Sequence, residues 1–186
     1  MAEPALQHMS LEDFLRFEGE PGRRYELAGG EPLAMAPSSD RHGRLAQNAG
    51  AIIERALGDD TTCAVVQGGG ILVEREEETR FYVADLVLTC AEASGEAYVR
   101  EPRLIVEVLS PSTSGIDKHQ KVPDYGALPS VEEIWLVESR SRWVLVWQRQ
   151  EGGWVGSFPY TGAQAFRSQV LGAEVGLDRL YRNTGL

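Results

Sequence analysis

Apolar and polar positions along this chain follow two periods, and the two alternate in a definite order. Between residues 41 and 57, Leu45, Ala49, Ile52, Ile53 and Ala56 recur at helical spacing, which predicts a long amphipathic helix that Asp40 can cap. Before it, Ser10-Leu-Glu-Asp13 has the form of a capping box and predicts a short helix ending near Phe17. Tyr25-Glu-Leu27 and Glu31-Pro-Leu-Ala-Met35, on either side of Gly29-Gly30, predict a hairpin.

After the long helix the period changes to that of strands. Residues 63–67 and 71–75 predict two strands separated by a Gly68-Gly-Gly70 turn, followed by an acidic loop tip at Glu76-Glu-Glu78. Residues 81–88 and 103–109 are the most apolar runs and predict central strands buried on both faces. Ser110-Pro-Ser-Thr-Ser114 predicts a loop opening a helix to about Leu128, which Pro123 should kink. Residues 133–137 and 142–148 predict two more strands, and a further strand near 154–158 precedes a closing segment through Leu180. Trp143 and Trp147 fall on one face of their strand, spaced for core or dimer packing. This order of elements predicts an α/β (α+β) fold, a mixed central sheet flanked by helices. It carries an N-terminal helix and hairpin and extra C-terminal strands.

Composition narrows the class. The 186 residues are 42% hydrophobic, enough for one domain with a real core, and no apolar run approaches the ~20 residues of a spanning helix. With no secretory pattern at the N-terminus, a cytoplasmic location is expected and no membrane partner. Cys63 and Cys90 are the only cysteines, too few for a disulfide scaffold or a cysteine zinc site, and are expected as small buried hydrophobes inside strands. The net charge of −10 argues against simple basic adhesion to nucleic acid. Residues 1–138 carry 12 Lys/Arg and 25 Asp/Glu, whereas residues 139–186 carry 6 and 3, so the acidity lies in the body of the chain.

The candidate chemistry comes from polar residues where apolar ones are expected. Asp85 and Glu107 each interrupt an apolar strand, and an isolated ionised carboxylate there costs several kcal/mol unless it is paired or metal-bound. Two on neighbouring strands would repel, and a shared divalent cation removes that repulsion; the alternative is that each sits at a strand end and pairs with an Arg or a backbone N–H. Oxygen ligands with few imidazoles favour Mg²⁺ or Mn²⁺. Only two of the eighteen basic residues are lysines, Lys118 and Lys121. Asp117, Lys121 and Tyr125 recur every four residues and share one helical face. Facing Glu107, they would supply a cation and a phenol beside the carboxylates, a set suited to phosphodiester hydrolysis.

Leu104-Ile-Val-Glu-Val-Leu-Ser-Pro-Ser-Thr113, Asp117-x-x-x-Lys121-x-x-x-Tyr125 and Glu133-Ile-Trp-Leu-Val137 resemble the Uma-type restriction-endonuclease family of the PD-(D/E)xK nuclease superfamily. Tyr25-Glu-Leu27, Gly30-Glu31 and His42 match its N-terminal pattern, and the likeness runs over roughly residues 10–182. It implies a restriction-endonuclease-like fold, one domain across 1–186, and catalytic roles for Asp85, Glu107, Lys121 and Glu26. Asp85, Glu107 and the Val108 carbonyl would be metal ligands, with Glu26 holding a second metal or orienting water, unless it is an edge-strand glutamate facing solvent. His42, Asp117 and Tyr125 would support the site. Ala84 stands where the family has Pro, and Leu109 stands where the signature Lys would be, Lys121 being the relocated lysine. The function so implied is a Mg-dependent DNA endonuclease, expected as a homodimer. The acidic charge leaves two alternatives open: a scaffold with a vestigial site, or a metal-dependent hydrolase of a small phosphorylated substrate.

Overall fold

The computed structural model describes residues 8–59, 62–75, 78–110 and 117–186, excepting the side chains of residues 117 and 118. Helix α1 (Leu11–Leu15) is capped by Ser10, whose hydroxyl accepts from the Asp13 amide. Strands β1 (Tyr25–Ala28) and β2 (Glu31–Ala34) form the expected hairpin, with Gly29 and Gly30 at positive φ. Helix α2 (Asp40–Leu57) begins one residue earlier than its apolar pattern, because Ser39 rather than Asp40 is the cap and accepts from the His42 amide. It buries Leu45, Ala46, Ala49 and Ile53 and leaves Ala56 exposed.

Strands β3 (Ala64–Glu74) and β4 (Thr79–Thr89) form a long antiparallel hairpin. Gly68–Gly70 is therefore not a turn between two strands. It lies inside one continuous strand, and its lack of side chains is used for close approach. A Cβ on Gly70 would meet the Ala97 carbonyl oxygen and the Phe81 ring, and the Val99 amide donates to the Gly70 carbonyl. Of the acidic tip, residues 76 and 77 lie outside the described residues. Glu78 is not a solvated tip residue, since it is half-buried and accepts from Arg80 and the Gly29 amide.

Strand β5 (Pro102–Leu109) leads through the crossover to β6 (Glu133–Glu138), with which it pairs in parallel. Parallel neighbours need a long crossover connection. This one contains a π-helical turn (Asp117–Lys121) and then helix α3 (Val122–Ala127). The continuous helix expected to run to Leu128 is thus two short pieces. Pro123 sits in the first turn of α3, where its missing N–H is not required. Residues 111–116, the Ser/Thr-rich loop, lie outside the described residues.

Strands β7 (Trp143–Gln150), β8 (Gly153–Gly156) and β9 (Tyr160–Thr161) complete the main sheet. Its order is β2-β1-β4-β5-β6-β7-β8, with β3 on β4 and β9 on β7. Strands β10 (Ala165–Ser168) and β11 (Ala173–Gly176) form a separate pair before helix α4 (Leu177–Leu180). The result is the mixed sheet flanked by helices that the pattern predicts.

Two apolar layers cover the two faces. Leu104, Val106 and Val108 of β5 pack with α2, the β10–β11 pair and α4, while Ile105 and Leu109 pack with Val122 and Tyr125. Trp143 and Trp147 pack against this second layer. Cys63 and Cys90 follow the register beyond the last β3–β4 pair, Ala64 with Thr89, and are joined as a disulfide. They are half-buried and flank the strands, not buried inside them as expected.

Two glycines give opposite expectations. Gly70→Ala should destabilise the fold by about 1–3 kcal/mol in urea unfolding, since the Ala97 main chain blocks the new methyl. Gly43→Ala, in α2 with nothing near the added Cβ, should stabilise it by about 1 kcal/mol.

Candidate active site

The site forms where β4 changes partners. Along one edge β4 pairs with β1 at Phe81 and with β5 from Leu86 onward. Between these contacts the sheet forks, and its backbone donors need other acceptors. Carboxylates supply them. Glu26 Oε1 on β1 accepts from the Val83 amide at 2.9 Å, and Asp85 Oδ2 on β4 accepts from the Val108 amide at 2.7 Å. An unpaired buried amide costs about 1–3 kcal/mol, so both carboxylates stabilise the fork they line.

Strand β4 also rotates at this point. Tyr82 and Ala84 pack in the layer of α3, whereas Leu86 and Leu88 pack in the layer of α2, though an untwisted strand would keep all four on one face. Asp85 is the residue at the change. Opposite it on β3 is Gly68, at φ +62°, where the ladder skips a pair. A backbone angle in this region favours glycine, so here Gly68 supplies the twist that turns Asp85 into the fork.

Glu107 lies one residue beyond Val106, the partner of Leu86, and is 4% exposed. The crossover returns over it. Tyr125 donates to Glu107 Oε1 at 2.5 Å, and the Lys121 ammonium lies 3.5 Å from the same oxygen and 2.8 Å from Glu26 Oε1. Lys121 is itself only 4% exposed and stands 5.5 Å over the Tyr82 ring. Pro123 therefore does not turn the lysine away. Glu26 faces this interior and not the solvent.

From the other side His42, in the first turn of α2, places Nε2 3.2 Å from Asp85 Oδ2. The structure thus brings Glu26, His42, Asp85, Glu107, Val108 and Lys121 to one cleft of about 640 Å³. Tyr125 contacts it through Glu107. The side chain of Asp117 lies outside the described residues. Leu109, where the signature lysine would stand, is fully buried in the apolar layer.

Two residues of this assembly were not singled out from the sequence. Asp124, 1% exposed, accepts from Arg75, from Arg80 at 2.6 Å and from the Tyr82 hydroxyl at 2.6 Å. Tyr82 packs edge-on against Tyr125, with ring centroids 5.7 Å apart. Burial, and then the hydrogen bond to the Asp124 carboxylate, push the Tyr82 phenol well above its ordinary pKa, so it stays a donor. Asp124 thereby ties α3 to β3 and β4 and fixes the surface beneath Lys121. The signal available was a lone phenol inside the apolar run 81–88, three residues before Asp85.

As a donor set, the cleft offers hard oxygens. Three carboxylates, Glu26, Asp85 and Glu107, face one lysine ammonium, leaving the four side chains at a formal −2. Asp85 Oδ1 makes no hydrogen bond among the described residues. No group of three or more His, Cys, Asp or Glu is arranged as a metal-ligand set among those residues. The residues that could hold a metal are the two strand carboxylates with main-chain oxygen, hard donors of the kind a divalent hard cation takes.

Comparison with known proteins agrees with the geometry. Residues 11–178 match the Uma2 family, described as "Putative restriction endonuclease", and the chain belongs to that family. It is similar to two proteins of Synechocystis sp. (strain ATCC 27184 / PCC 6803 / Kazusa). Uncharacterized protein slr1290 is 26% identical over 94% of this chain and 92% of its own length. Uncharacterized protein sll1609 is 28% identical over 70% of this chain and 75% of its own. The fold is similar to that in the crystal structure of "a putative nuclease belonging to DUF820" from Anabaena variabilis ATCC 29413. The TM-score is 0.68, with 14% identity, covering 93% of this chain and 97% of the other.

The Asp124 tie gives a direct test. Asp124→Ala should lower stability by about 3 kcal/mol in urea unfolding, the low end for breaking a buried ion pair because Arg80 keeps some hydration. Asp124→Asn, which keeps an acceptor for Tyr82, should lose less.

Proposed function

We propose that this Uma2-family chain is a divalent-metal-dependent endonuclease that hydrolyses DNA phosphodiester bonds at the β4–β5 fork. The observation that carries the reading is the buried Lys121 ammonium, held 2.8 Å from Glu26 and 3.5 Å from Glu107 in the cleft that Asp85 lines. Asp85, Glu107 and the carbonyl of Val108 are the residues to hold Mg²⁺ or Mn²⁺. Such an ion supplies Lewis-acid polarisation of a phosphoryl oxygen and a more acidic bound water.

The side chains do the rest. Lys121 presents a fixed cation to the negative charge that develops on the phosphoryl oxygens, in a place where water is largely excluded. Glu26 and the Tyr82 ring hold that ammonium in position, and Glu26 is placed to orient an attacking water. Tyr125 fixes the Glu107 carboxylate through its 2.5 Å hydrogen bond. His42 sets the Asp85 carboxylate from the start of α2, the positive end of an 18-residue helix dipole. No helix among the described residues is long and apolar enough to cross a membrane. For the expected homodimer, the support is Phe158, 93% exposed, beside β8 at the edge of the sheet.

Two experiments test this reading. Supercoiled plasmid should be nicked or linearised by the wild type with Mg²⁺ or Mn²⁺ and left intact in EDTA. Lys121→Arg keeps the charge but replaces a compact ammonium with a planar fork, and should slow cleavage at least about tenfold, roughly 1.4 kcal/mol. Undiminished cleavage by that variant would remove Lys121 from the mechanism. By calorimetry, Asp85→Asn should lose Mg²⁺ binding while the protein remains folded, and unchanged binding would reject Asp85 as a ligand.

A further inference from the structure

A second cavity, of about 370 Å³, lies between the C-terminal half of α2 and the β10–β11–α4 segment. Its floor is apolar, with Ile52, Leu171 and Val175, and its rim carries Arg55, Arg179 and Arg182. Glu174 is the one carboxylate on the lining. The three arginines matter because of what the other thirteen do. Nine of the sixteen are in ion pairs with Asp or Glu. Arg41, Arg149 and Arg167 donate to main-chain carbonyls. Four remain with neither an ion pair nor a side-chain hydrogen bond among the described residues. Three of them are Arg55, Arg179 and Arg182, and the fourth, Arg24, lines the candidate active site.

Convergence of uncommitted guanidiniums on one concavity, in a chain of net charge −10, selects an anion. The apolar floor selects one with a non-polar face beside its charge. A sugar–phosphate backbone has both. We propose that this cleft binds the DNA backbone away from the cutting site, with phosphates on the arginines and deoxyribose faces on the partly exposed Ile52 and Leu171. The proposal rests on the nuclease reading, since it deepens the binding of the same substrate. Thirteen residues of α2 separate His42 from Arg55, about 20 Å along the helix axis. In duplex DNA that distance spans about six base-pair steps of one strand. His42 and Arg55 leave α2 about 140° apart around its axis, so a duplex that reaches both clefts must follow the flank of the helix from one to the other. Such an anchor also accounts for how a strongly acidic protein holds a polyanion.

The test is the salt dependence of binding a fluorescent 30-base-pair duplex, followed by anisotropy in EDTA so that the duplex stays whole. Each phosphate contact contributes about 0.9 to the slope of log K against log salt. Arg55→Gln with Arg179→Gln should weaken binding at least about tenfold near 0.1 M salt and flatten the slope by about 2. Arg16→Gln with Arg100→Gln removes the same formal charge from the Arg16–Glu12 and Arg100–Glu96 pairs, neither of which lines the cleft, and should leave the slope unchanged. Equal effects of the two pairs would overturn the cleft as a contact, because only net charge would then matter. If the first pair abolishes binding of a mononucleotide or inorganic phosphate but leaves duplex binding intact, the cleft is a small-anion pocket and the DNA assignment fails. No duplex binding by the wild type in EDTA would also overturn it, while plasmid cleavage with Mg²⁺ decides the nuclease reading separately.

Discussion

An ammonium group that is 4% exposed cannot stand alone, and the arrangement around Lys121 follows from that requirement. Its charge is compensated from two directions, by Glu26 on β1 and Glu107 on β5. Those strands do not pair with each other. They are neighbours only because β4 joins both along one edge. The lysine thus closes the fork electrostatically where no ladder closes it, and breaking a buried pair of this kind costs about 3–5 kcal/mol. The same charges that stabilise the fork also bring its polar side chains together.

The crossover that carries Lys121 is held with equal care. A π-helical turn followed by a six-residue helix has little stability of its own, since isolated helices this short are marginal in water. Tertiary contacts therefore have to position it. Tyr125 is fully buried against Ile105 and Leu109, and the neighbouring Asp124 is fastened by two arginines and a tyrosine from the hairpin. The outward and inward sides of α3 are both anchored. The Lys121 ammonium then has one place to go, over the Tyr82 ring and between the two glutamates.

Much of this is legible in the residues. Apolar runs with a single carboxylate each, at Asp85 and Glu107, mark the two strands whose carboxylates meet in one cleft. The four-residue spacing of Lys121 and Tyr125 correctly anticipates that both reach Glu107, although the backbone between them is partly π-helical and not the continuous helix expected. Other features could not be read. Gly68–Gly70 has the composition of a turn, and only the structure shows why glycines are needed inside a strand: a positive φ at Gly68, and the packing of residues 97–99 on Gly69 and Gly70. Cys63 and Cys90 are 27 residues apart, and only the β3–β4 register makes them neighbours. Nothing in the sequence singles out Asp124, since its burial depends on Arg75 and Arg80 arriving from a hairpin over forty positions earlier.

Charge is distributed by the same logic throughout. Most arginines are neutralised within a few ångströms by a carboxylate, so the high acidic content is largely spent on local pairing and does not form one repulsive field. What remains is polarised. Carboxylates exceed cations at the fork, as the proposed divalent ion would require, and uncommitted guanidiniums gather around the second cleft. A basic surface spread evenly over the molecule would attract DNA in every orientation. Among the described residues, the arginines with neither a carboxylate nor a carbonyl partner lie in two clefts at either end of α2, and under the proposed function the acidic remainder would repel DNA from unproductive orientations, so that the net charge of −10 would serve orientation.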